Sequence, residues 1–311
     1  MSIALEYGIP TDKEAIQLRL GIARGLFLAE GIDLTLKVIF GGPEIARAYD
    51  TGSLKIGELG TPPAITAISR GARFKLVASS VKRSALQYLV AAPAIGDWND
   101  LRGKTVAALS IGSCSYWFMR QVLQHHGLDP DADVKIVGLG ERYPQVVELF
   151  RSGELAAAVL SEPNVSMGEC ACVYRVMQAL TDAEFCPGMQ WSVVVAGPDT
   201  IANEPDLVRA VLRGCQKSYH YAADHPDEWI AFGADYFGIA RETMASAIAR
   251  EWAGLHCDGV IEPPSLQQAI DLQLRLGAIK QALRAEDIVD LRFLPGYATL
   301  PALSTPKITY V

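Results

Sequence analysis

The sequence predicts an α/β protein with two similar lobes, each a mostly parallel sheet flanked by helices, and a ligand cleft between the lobes. Three observations support this fold class. Strand and helix patterns alternate with short loops over residues 3–160, as in parallel sheets covered on both faces. One segment of the first unit recurs in the second, and two continuous apolar stretches bracket the second unit.

The first unit reads as strands and helices in regular alternation. Apolar and β-branched residues predict strands, and apolar residues three and four positions apart predict helices. The predicted strands are 3–7, 33–40, 54–59 and 74–79, and the predicted helices are 13–29, 44–50 and a third that opens at Thr61-Pro62-Pro63. In this third helix Thr61 is expected to be the N-cap and Pro62 the first helical residue.

The same order restarts after an apolar stretch at 87–92. The predicted strands of this second unit are 105–109, 134–137 and 155–160, and its predicted helices are 115–125 and 143–151. A second apolar strand follows at 191–196. The remainder of the chain is predicted to be mainly helical, over 207–223, 226–237, 241–253 and 265–283.

The recurring segment links the two units. Residues 52–63, GSLKIGELGTPP, align without gaps on residues 153–164, GELAAAVLSEPN, so that Gly52 lies over Gly153 and Pro62 over Pro163. A helix, a glycine, a strand and a proline turn often follow one another, and chance is therefore the alternative explanation. Because both copies hold the same place in the order of elements, a structural repeat is the favoured interpretation.

The two apolar stretches are expected to cross between the lobes, which makes the second lobe an insertion into the first. The first lobe then comprises residues 1–90 and 195–311, the second lobe comprises 95–190, and the hinge segments are 87–95 and 190–196. Two connections of this kind permit the lobes to close around a ligand.

Ligands of open parallel sheets gather beyond the carboxyl ends of the strands, which selects the loops after each predicted strand. Backbone N–H groups and hydroxyls in the SIGSCSY loop suit an anionic or strongly polar group, and nearby aromatic rings, Tyr143 among them, suit an aromatic or aliphatic part. The candidate ligand-binding residues are Tyr7, Pro10, Thr11, Gly41, Gly42, Gly60, Thr61, Ser110, Gly112, Ser113, Ser115, Tyr116, Glu162 and Trp191.

Several of these side chains have a structural alternative. Ser113 and Ser115 either contact a ligand or only cap the helix, and Tyr116 either contacts a ligand or packs in the core. Glu162 either pairs with a cation or amine, accepts a hydrogen bond from a heterocycle, or lies hydrated at the rim. Arg83 is either an anion partner or a solvated surface residue.

Composition narrows the classes of function. The 311 residues are too many for one small core and suggest two domains. A net charge of −7 without a basic run makes nucleic acid an unexpected partner. No apolar run reaches the ~18 residues of a membrane span. Without a basic and apolar leader, the protein as written is expected to be cytoplasmic, or periplasmic if a native signal was removed.

The metal-ligating residue types show no zinc-site spacing. The six cysteines include no CxxC pair, and only Cys170 and Cys172, two positions apart, hint at a metal. The adopted interpretation is free thiols in a reducing compartment, with no metal and no cofactor. All five histidines fall on predicted helices or helix ends outside the cleft: His125, His126, His220, His225 and His256.

Four segments together are similar to one known family. They are RLGIARGLFLAEGIDLTL at 19–36, TGSLKIGELGTPPAITAISRGARFKLVAS at 51–79, WNDLRGKTVAALSIGSCSYWFMRQVLQHHGLDP at 98–130 and SGELAAAVLSEPN at 152–164. In this order they resemble the NMT1/Thi5-like branch of periplasmic binding proteins, whose members bind nitrate, sulfonates, taurine and pyrimidine precursors. The resemblance runs from residue 3 to about 200.

The resemblance implies a two-lobed periplasmic-binding-protein fold, two crossing strands, and capture of a small sulfonate, carboxylate, aromatic or heterocyclic molecule by hinge closure. It also implies an ABC permease as partner if the protein is exported, and the protein is expected to be a monomer or a weak dimer. Lys55 and Ala156 depart from the family, which usually has Asp there. The pyrimidine synthases of the family carry a cysteine-rich motif and a substrate histidine. This sequence has only Cys170-Ala-Cys172 and no histidine in a predicted cleft loop, so that activity is not expected.

The leading hypothesis is therefore a binding protein that performs no chemistry. The alternative is a cytoplasmic lyase, desulfinase or decarboxylase that uses the same cleft, with Cys114 as nucleophile. Cys114 lies in SIGSCSY at a predicted helix N-terminus, a setting that activates thiols. No histidine base can be assigned beside it, and its structural alternative is a small residue packed under the loop.

Overall fold

Two five-stranded sheets form the framework of the molecule. The computed structural model describes residues 2–11, 15–80, 86–180, 190–255 and 258–296. The strands are β1 (Ile3–Ile9), β2 (Ile32–Val38), β3 (Ile56–Gly60), β4 (Lys75–Ser79), β5 (Tyr88–Ala91), β6 (Thr105–Ala108), β7 (Lys135–Gly138), β8 (Ala157–Leu160), β9 (Arg175–Ala179) and β10 (Ser192–Ala196).

Helices cover both sheets and make up most of the C-terminal part. They are α1 (Ile16–Ala23), α2 (Gly42–Asp50), α3 (Thr61–Ser69), α4 (Cys114–His125), α5 (Val146–Arg151), α6 (Asn164–Cys170), α7 (Pro198–Asn203), α8 (Pro205–Asp224), α9 (Pro226–Phe237), α10 (Arg241–Glu251), α11 (Pro263–Arg275) and α12 (Ala285–Ile288). Short 3₁₀ turns lie at Leu28–Glu30, Trp98–Leu101, Gly140–Gln145, Trp252–Gly254 and Leu291–Gly296.

Both sheets have the same topology. The strand order is β2-β1-β3-β10-β4 in the first sheet and β7-β6-β8-β5-β9 in the second. β1 pairs in parallel with β2 and β3, as β6 does with β7 and β8. One strand of each sheet runs the other way, β10 in the first and β5 in the second. The predicted pair of similar α/β sheets is confirmed, and each sheet is mixed.

The repeated segment of the sequence is a repeat of structure. GSLKIGELGTPP contains β3 and GELAAAVLSEPN contains β8, and these strands hold the same position in the two sheets. Each is the middle strand, and each lies between a parallel and an antiparallel neighbour. The similarity of the two sequence segments therefore reflects equivalent positions in the two sheets.

The two apolar stretches are strands within the sheets. β10 is buried at every residue, as are β5 and β8, because helices cover both faces and the strands are apolar throughout. The chain leaves the first sheet at Ser79, enters the second at Tyr88, leaves it at Ala179 and returns at Ser192. We call the first sheet with α1–α3 and α7–α12 the first lobe, and the second sheet with α4–α6 the second lobe; the predicted domain and hinge boundaries stay a proposal.

Several elements differ from the sequence predictions. The N-cap of α3 is Gly60 and not Thr61, whose N–H instead bonds the carbonyl of Trp191 at 2.8 Å. α1 ends at Ala23 because Gly25, with φ of 71°, turns the chain left-handed before the 3₁₀ turn. β9 was not predicted, since RVMQA is a half-exposed edge strand of mixed composition.

Candidate functional site

A small cavity lies where the carboxyl ends of the parallel strands of the two lobes meet. Its volume is about 40 Å³, well below the size of a drug-sized ligand site. We call it the cleft pocket, and it is lined by Pro10, Thr11, Gly42, Gly60, Pro63, Gln87, Leu109, Ser113, Cys114, Ser115, Trp191 and Ser192. Seven of the predicted ligand-binding residues, together with Cys114, are in this lining: Pro10, Thr11, Gly42, Gly60, Ser113, Ser115 and Trp191.

The first lobe contributes buried hydroxyls without a partner. Thr11, which follows β1, is 3% exposed, and Thr61, next to the lining residue Gly60, is fully buried. Neither hydroxyl has a hydrogen-bond partner among the described residues, and the same holds for the amide oxygen of Gln87. A buried polar group without a partner is costly, so these atoms are candidates to bind a polar ligand or water.

The second lobe contributes the start of α4. Ser113 is its N-cap: the hydroxyl accepts the N–H of Tyr116 at 3.3 Å and donates to the carbonyl of Ser110 at 2.6 Å. The Ser115 hydroxyl accepts the N–H of Leu109 at 2.8 Å and lies 3.0 Å from that of Ser113. Both serines therefore hold the loop together, and the first-turn N–H groups of α4 supply the partial positive charge at the cavity.

Cys114 packs against the other lobe. A Cβ placed on Gly60 would lie 2.4 Å from the Cys114 Sγ, so the thiol occupies space that the glycine leaves open. The described lining of the cleft pocket contains no histidine, lysine, arginine or carboxylate. The geometry matches the structural alternative for Cys114, a small residue packed under the loop.

Other loop residues also bring the lobes into contact. A Cβ on Gly41 would lie 2.8 Å from the Ser110 Oγ, and a Cβ on Gly112 would lie 3.4 Å from Pro43. Gly41 has φ of 106°, a conformation that side chains rarely adopt. The predicted residues Gly41 and Ser110 are thus neighbours across the cleft, and the lobes are closed on each other.

The predicted aromatic residues separate into two groups. Trp191 is 3% exposed, lines the cleft pocket and packs on Phe118 with ring centroids 5.0 Å apart. Tyr7 lies instead in the core of the first lobe, where burial raises the pKa of its phenol well above the ordinary value. Tyr143 lies in the core of the second lobe. Tyr7 lies within β1 and not beyond its carboxyl end, and it is not part of the lining of the cleft pocket.

Glu162 lies outside the cleft pocket and forms a bridge between the lobes. It is 4% exposed, and its Oε1 is 2.8 Å from the Nε of Arg250 on α10. It also accepts hydrogen bonds from the Ser166 N–H and hydroxyl, each at 2.9 Å. Arg250 pairs with Glu169 as well, and we call these three charged residues the interlobe bridge. Burial raises the pKa of the Glu162 carboxyl, against the effect of Ser166 and Arg250.

The remaining predicted residues lie elsewhere. Gly112 and Tyr116 line a larger groove beside the cleft pocket. Arg83, His256 and two cysteines, Cys186 and Cys257, lie outside the described residues. None of the other histidines lines the cleft pocket, and the described part of the chain holds no group of three or more His, Cys, Asp or Glu that could bind a metal.

Four lining residues were not among the predicted candidates: Pro63, Gln87, Leu109 and Ser192. Two of them, Gln87 and Ser192, belong to the ends of strands. Gln87 directly precedes β5, and Ser192 begins β10, the two antiparallel strands. A strand of reversed direction presents its N-terminal end where its parallel neighbours present their carboxyl ends. The signal that would have found these residues is strand direction, which the rule about carboxyl ends does not supply.

Comparison with known proteins identifies the family. The family model described as NMT1/THI5 like matches residues 14–229. The chain belongs to the NMT1/THI5-like family. This confirms the family and the two-lobed fold predicted from the sequence, and a solute-binding function fits both. Over residues 2–11, 15–80, 86–180, 190–255 and 258–296, no helix has the length and apolar character needed to cross a membrane.

One curated protein of similar sequence and two solved structures of similar fold show how widely this fold is used. The taurine-binding periplasmic protein of Escherichia coli (strain K12) is 27% identical over 275 residues, which cover 87% of this chain and 79% of the relative. The structure of the alkanesulfonate-binding protein SsuA from Xanthomonas axonopodis pv. citri, bound to MOPS, has a TM-score of 0.75 at 17% identity and covers 93% of this chain and 98% of that one. The desulfurization enzyme DSZB has a TM-score of 0.66 at 15% identity, with 94% and 98% covered. One fold thus serves binding and catalysis.

Proposed function

We propose that the protein binds a small organic anion, and a sulfonate in particular, in the cleft pocket when the two lobes close. The observation that carries the proposal is an arrangement of hydrogen-bond donors. The buried hydroxyls of Thr11 and Thr61, which have no partner among the described residues, lie on one side, and the N-terminus of α4 lies on the other. The described lining between them contains no acidic side chain. The names of the taurine-binding relative and the alkanesulfonate-binding structure support the choice of sulfonate.

The chemistry of the donors suits a monoanion. A sulfonate presents three acceptor oxygens, and hydroxyls and helix N-terminal N–H groups donate to them without a fixed positive charge. No described carboxylate lines the cleft pocket to pair with an ammonium group. We therefore expect a sulfonate without an amine to bind at least as tightly as taurine does.

Calorimetric titration with ethanesulfonate, taurine, nitrate, acetate and uracil tests this proposal. Hydrogen bonds to charged groups are worth about 1.5–3 kcal/mol, so Thr11→Val and Thr61→Val should each weaken ethanesulfonate binding by about tenfold or more. Thr35→Val, which removes a hydroxyl on the exposed edge strand β2, is the matched control and should change nothing. Failure of every anion to bind would overturn the proposal.

A permease partner and a periplasmic location are part of the same proposal. The E. coli relative is named as periplasmic, and a structure of similar fold, from Methylobacillus flagellatus KT, is named as a putative sulfonate ABC transporter. Fractionation of cells that express the native gene distinguishes this location from the cytoplasmic one expected from the sequence as written. If the protein is recovered only in the fraction that contains cytoplasmic markers, the proposed permease partner is wrong, whereas the proposed ligand binding is unaffected.

The enzyme alternative has less support, because the described lining of the cleft pocket includes no histidine, lysine, arginine or carboxylate. Stoichiometric protein incubated with ethanesulfonate and followed by NMR should return the ligand unchanged. Cys114→Ser should bind it as the native protein does. Conversion by the native protein that Cys114→Ser abolishes would establish the enzyme alternative.

A further inference from the structure

A groove of about 590 Å³ opens beside the cleft pocket. Its first-lobe wall is formed by α2 and α3, and its second-lobe wall by Ile111, Gly112 and the first turn of α4. Pro63 lines both the groove and the cleft pocket, and Gly112 of the groove directly precedes Ser113 of the pocket. The two spaces are therefore adjacent.

We infer that the groove holds a flat aromatic tail of the ligand whose anionic head occupies the cleft pocket. The inference rests on the proposed function for the head and adds the class of the tail. The cleft pocket has room for only a small group, whereas the groove lies within the roughly 300–1,000 Å³ typical of small-molecule sites.

The walls of the groove suit a planar ring. Tyr116 and Trp117 stand edge to face with ring centroids 5.1 Å apart. The Tyr116 hydroxyl accepts a hydrogen bond from Arg120 at 3.4 Å, and Arg120 forms two hydrogen bonds of 2.6 Å with Asp131, which fixes this aromatic wall. Pro63 and Ala67 line the other lobe's side. A ring between these walls contacts apolar surface on both faces.

Two buried polar atoms of residues that line the groove have no hydrogen-bond partner among the described residues. The indole N–H of Trp117 and the hydroxyl of Thr66 are buried and have no hydrogen-bond partner among the described residues. Both residues line the groove, from opposite lobes. Because Trp117 only donates and Thr66 can donate, an acceptor on the ring, such as a carboxylate, nitro or hydroxyl oxygen, satisfies them.

The charge of the groove favours the same substituents. Arg47 and Arg70 line it, and neither forms an ion pair with a described residue. Asp50 is the acidic residue of the described lining, and its Oδ1 accepts the backbone N–H of Arg73 at 2.9 Å. Two cations against one anion make the groove locally positive in a chain of net charge −7.

Calorimetry with two probes that share a head group tests the tail. Ethanesulfonate fills only the cleft pocket, whereas naphthalene-2-sulfonate also reaches the groove, and we expect it to bind the native protein at least about tenfold more tightly. Ala67→Phe, which fills the groove, and Arg70→Gln, which removes a cation, should each remove at least half of this advantage. Both should leave ethanesulfonate binding within about twofold of native.

Arg241→Gln is the matched control for Arg70→Gln, because Arg241 is exposed and lines none of the cavities described above. Retained ethanesulfonate binding also reports that each variant is folded. If naphthalene-2-sulfonate binds no more tightly than ethanesulfonate, or if the groove variants weaken both probes equally, the inference fails while the proposed function stands. If neither probe binds the native protein, the proposed function fails and the inference with it.

Discussion

Removing the guanidinium of Arg250 should weaken the contact between the lobes and lower the free energy of unfolding. In the interlobe bridge this group contacts Glu162 and Glu169 of the second lobe and lies over the ring of Tyr88, 5.5 Å from its centroid. Arg250→Met keeps much of the apolar stem and deletes the charge. Glu162, whose side chain is 3% exposed, is then left without its cation.

The structure sets the size of the effect. Stripping one partner from a fully buried ion pair costs about 3–5 kcal/mol. The Arg250 side chain is 29% exposed, so water already solvates part of it, and Glu162 keeps both hydrogen bonds from Ser166. We therefore expect Arg250→Met to lower the free energy of unfolding by about 2 kcal/mol.

Urea unfolding at pH 7 of the native protein, Arg250→Met, Glu162→Gln and the double variant measures the coupling. In the Glu162→Gln background, Arg250→Met leaves no buried carboxylate without its cation. The loss in free energy of unfolding should therefore be at least about 1 kcal/mol smaller than in the native background. A coupling energy below about 0.5 kcal/mol would refute the reasoning. Arg284→Met breaks an exposed ion pair with Asp287 and, as control, should change stability much less.

Three further predictions concern single side chains. Burial raises the pKa of the Glu162 carboxyl above its ordinary value of 4.5, so the folded protein holds this proton more tightly than the unfolded chain does. Urea unfolding between pH 4 and pH 7 should therefore show the native protein losing stability relative to Glu162→Gln as the pH rises. A stability difference that stays constant with pH would contradict this prediction. Gly168→Ala places a Cβ 1.8 Å from the Tyr174 ring and should destabilise by about 1–3 kcal/mol or more in urea; unchanged stability would show that the ring moves freely. Thr61→Val deletes an unpartnered hydroxyl, so stability should stay within about 0.5 kcal/mol or rise; a loss above about 1 kcal/mol means that the hydroxyl has a partner.

Much of the fold could be predicted from periodicity and from the repeat. The order of strands and helices through β8 follows the alternation of patterns, and the equivalence of β3 and β8 follows from GSLKIGELGTPP and its copy. The direction of β5 and β10 could not be predicted, because a continuous run of apolar residues has no feature that distinguishes a parallel from an antiparallel strand. The end of α1 depended on a single glycine, Gly25, within a pattern that remained apolar beyond it.

The candidate site could be predicted as a set of loops but not as a set of side chains. Pro10, Thr11 and Gly60 follow or end parallel strands, so the rule about carboxyl ends led to them. Glu162 also follows a parallel strand, yet its partner Arg250 is distant in sequence, and only the packing of α10 on the second lobe brings them together. The groove was missed for a similar reason, since its walls come from helices of both lobes.

The placement of β10 has a consequence for synthesis of the chain. The second sheet is encoded by one continuous stretch, from β5 to β9, whereas in the first sheet β10 separates β3 from β4 and is the strand that pairs with β4. On the ribosome, β1 to β4 emerge first but lack this strand until the whole second lobe has been made. Domains fold as units when their residues are complete, so the second lobe is expected to fold first. The lobe that begins the sequence is finished last.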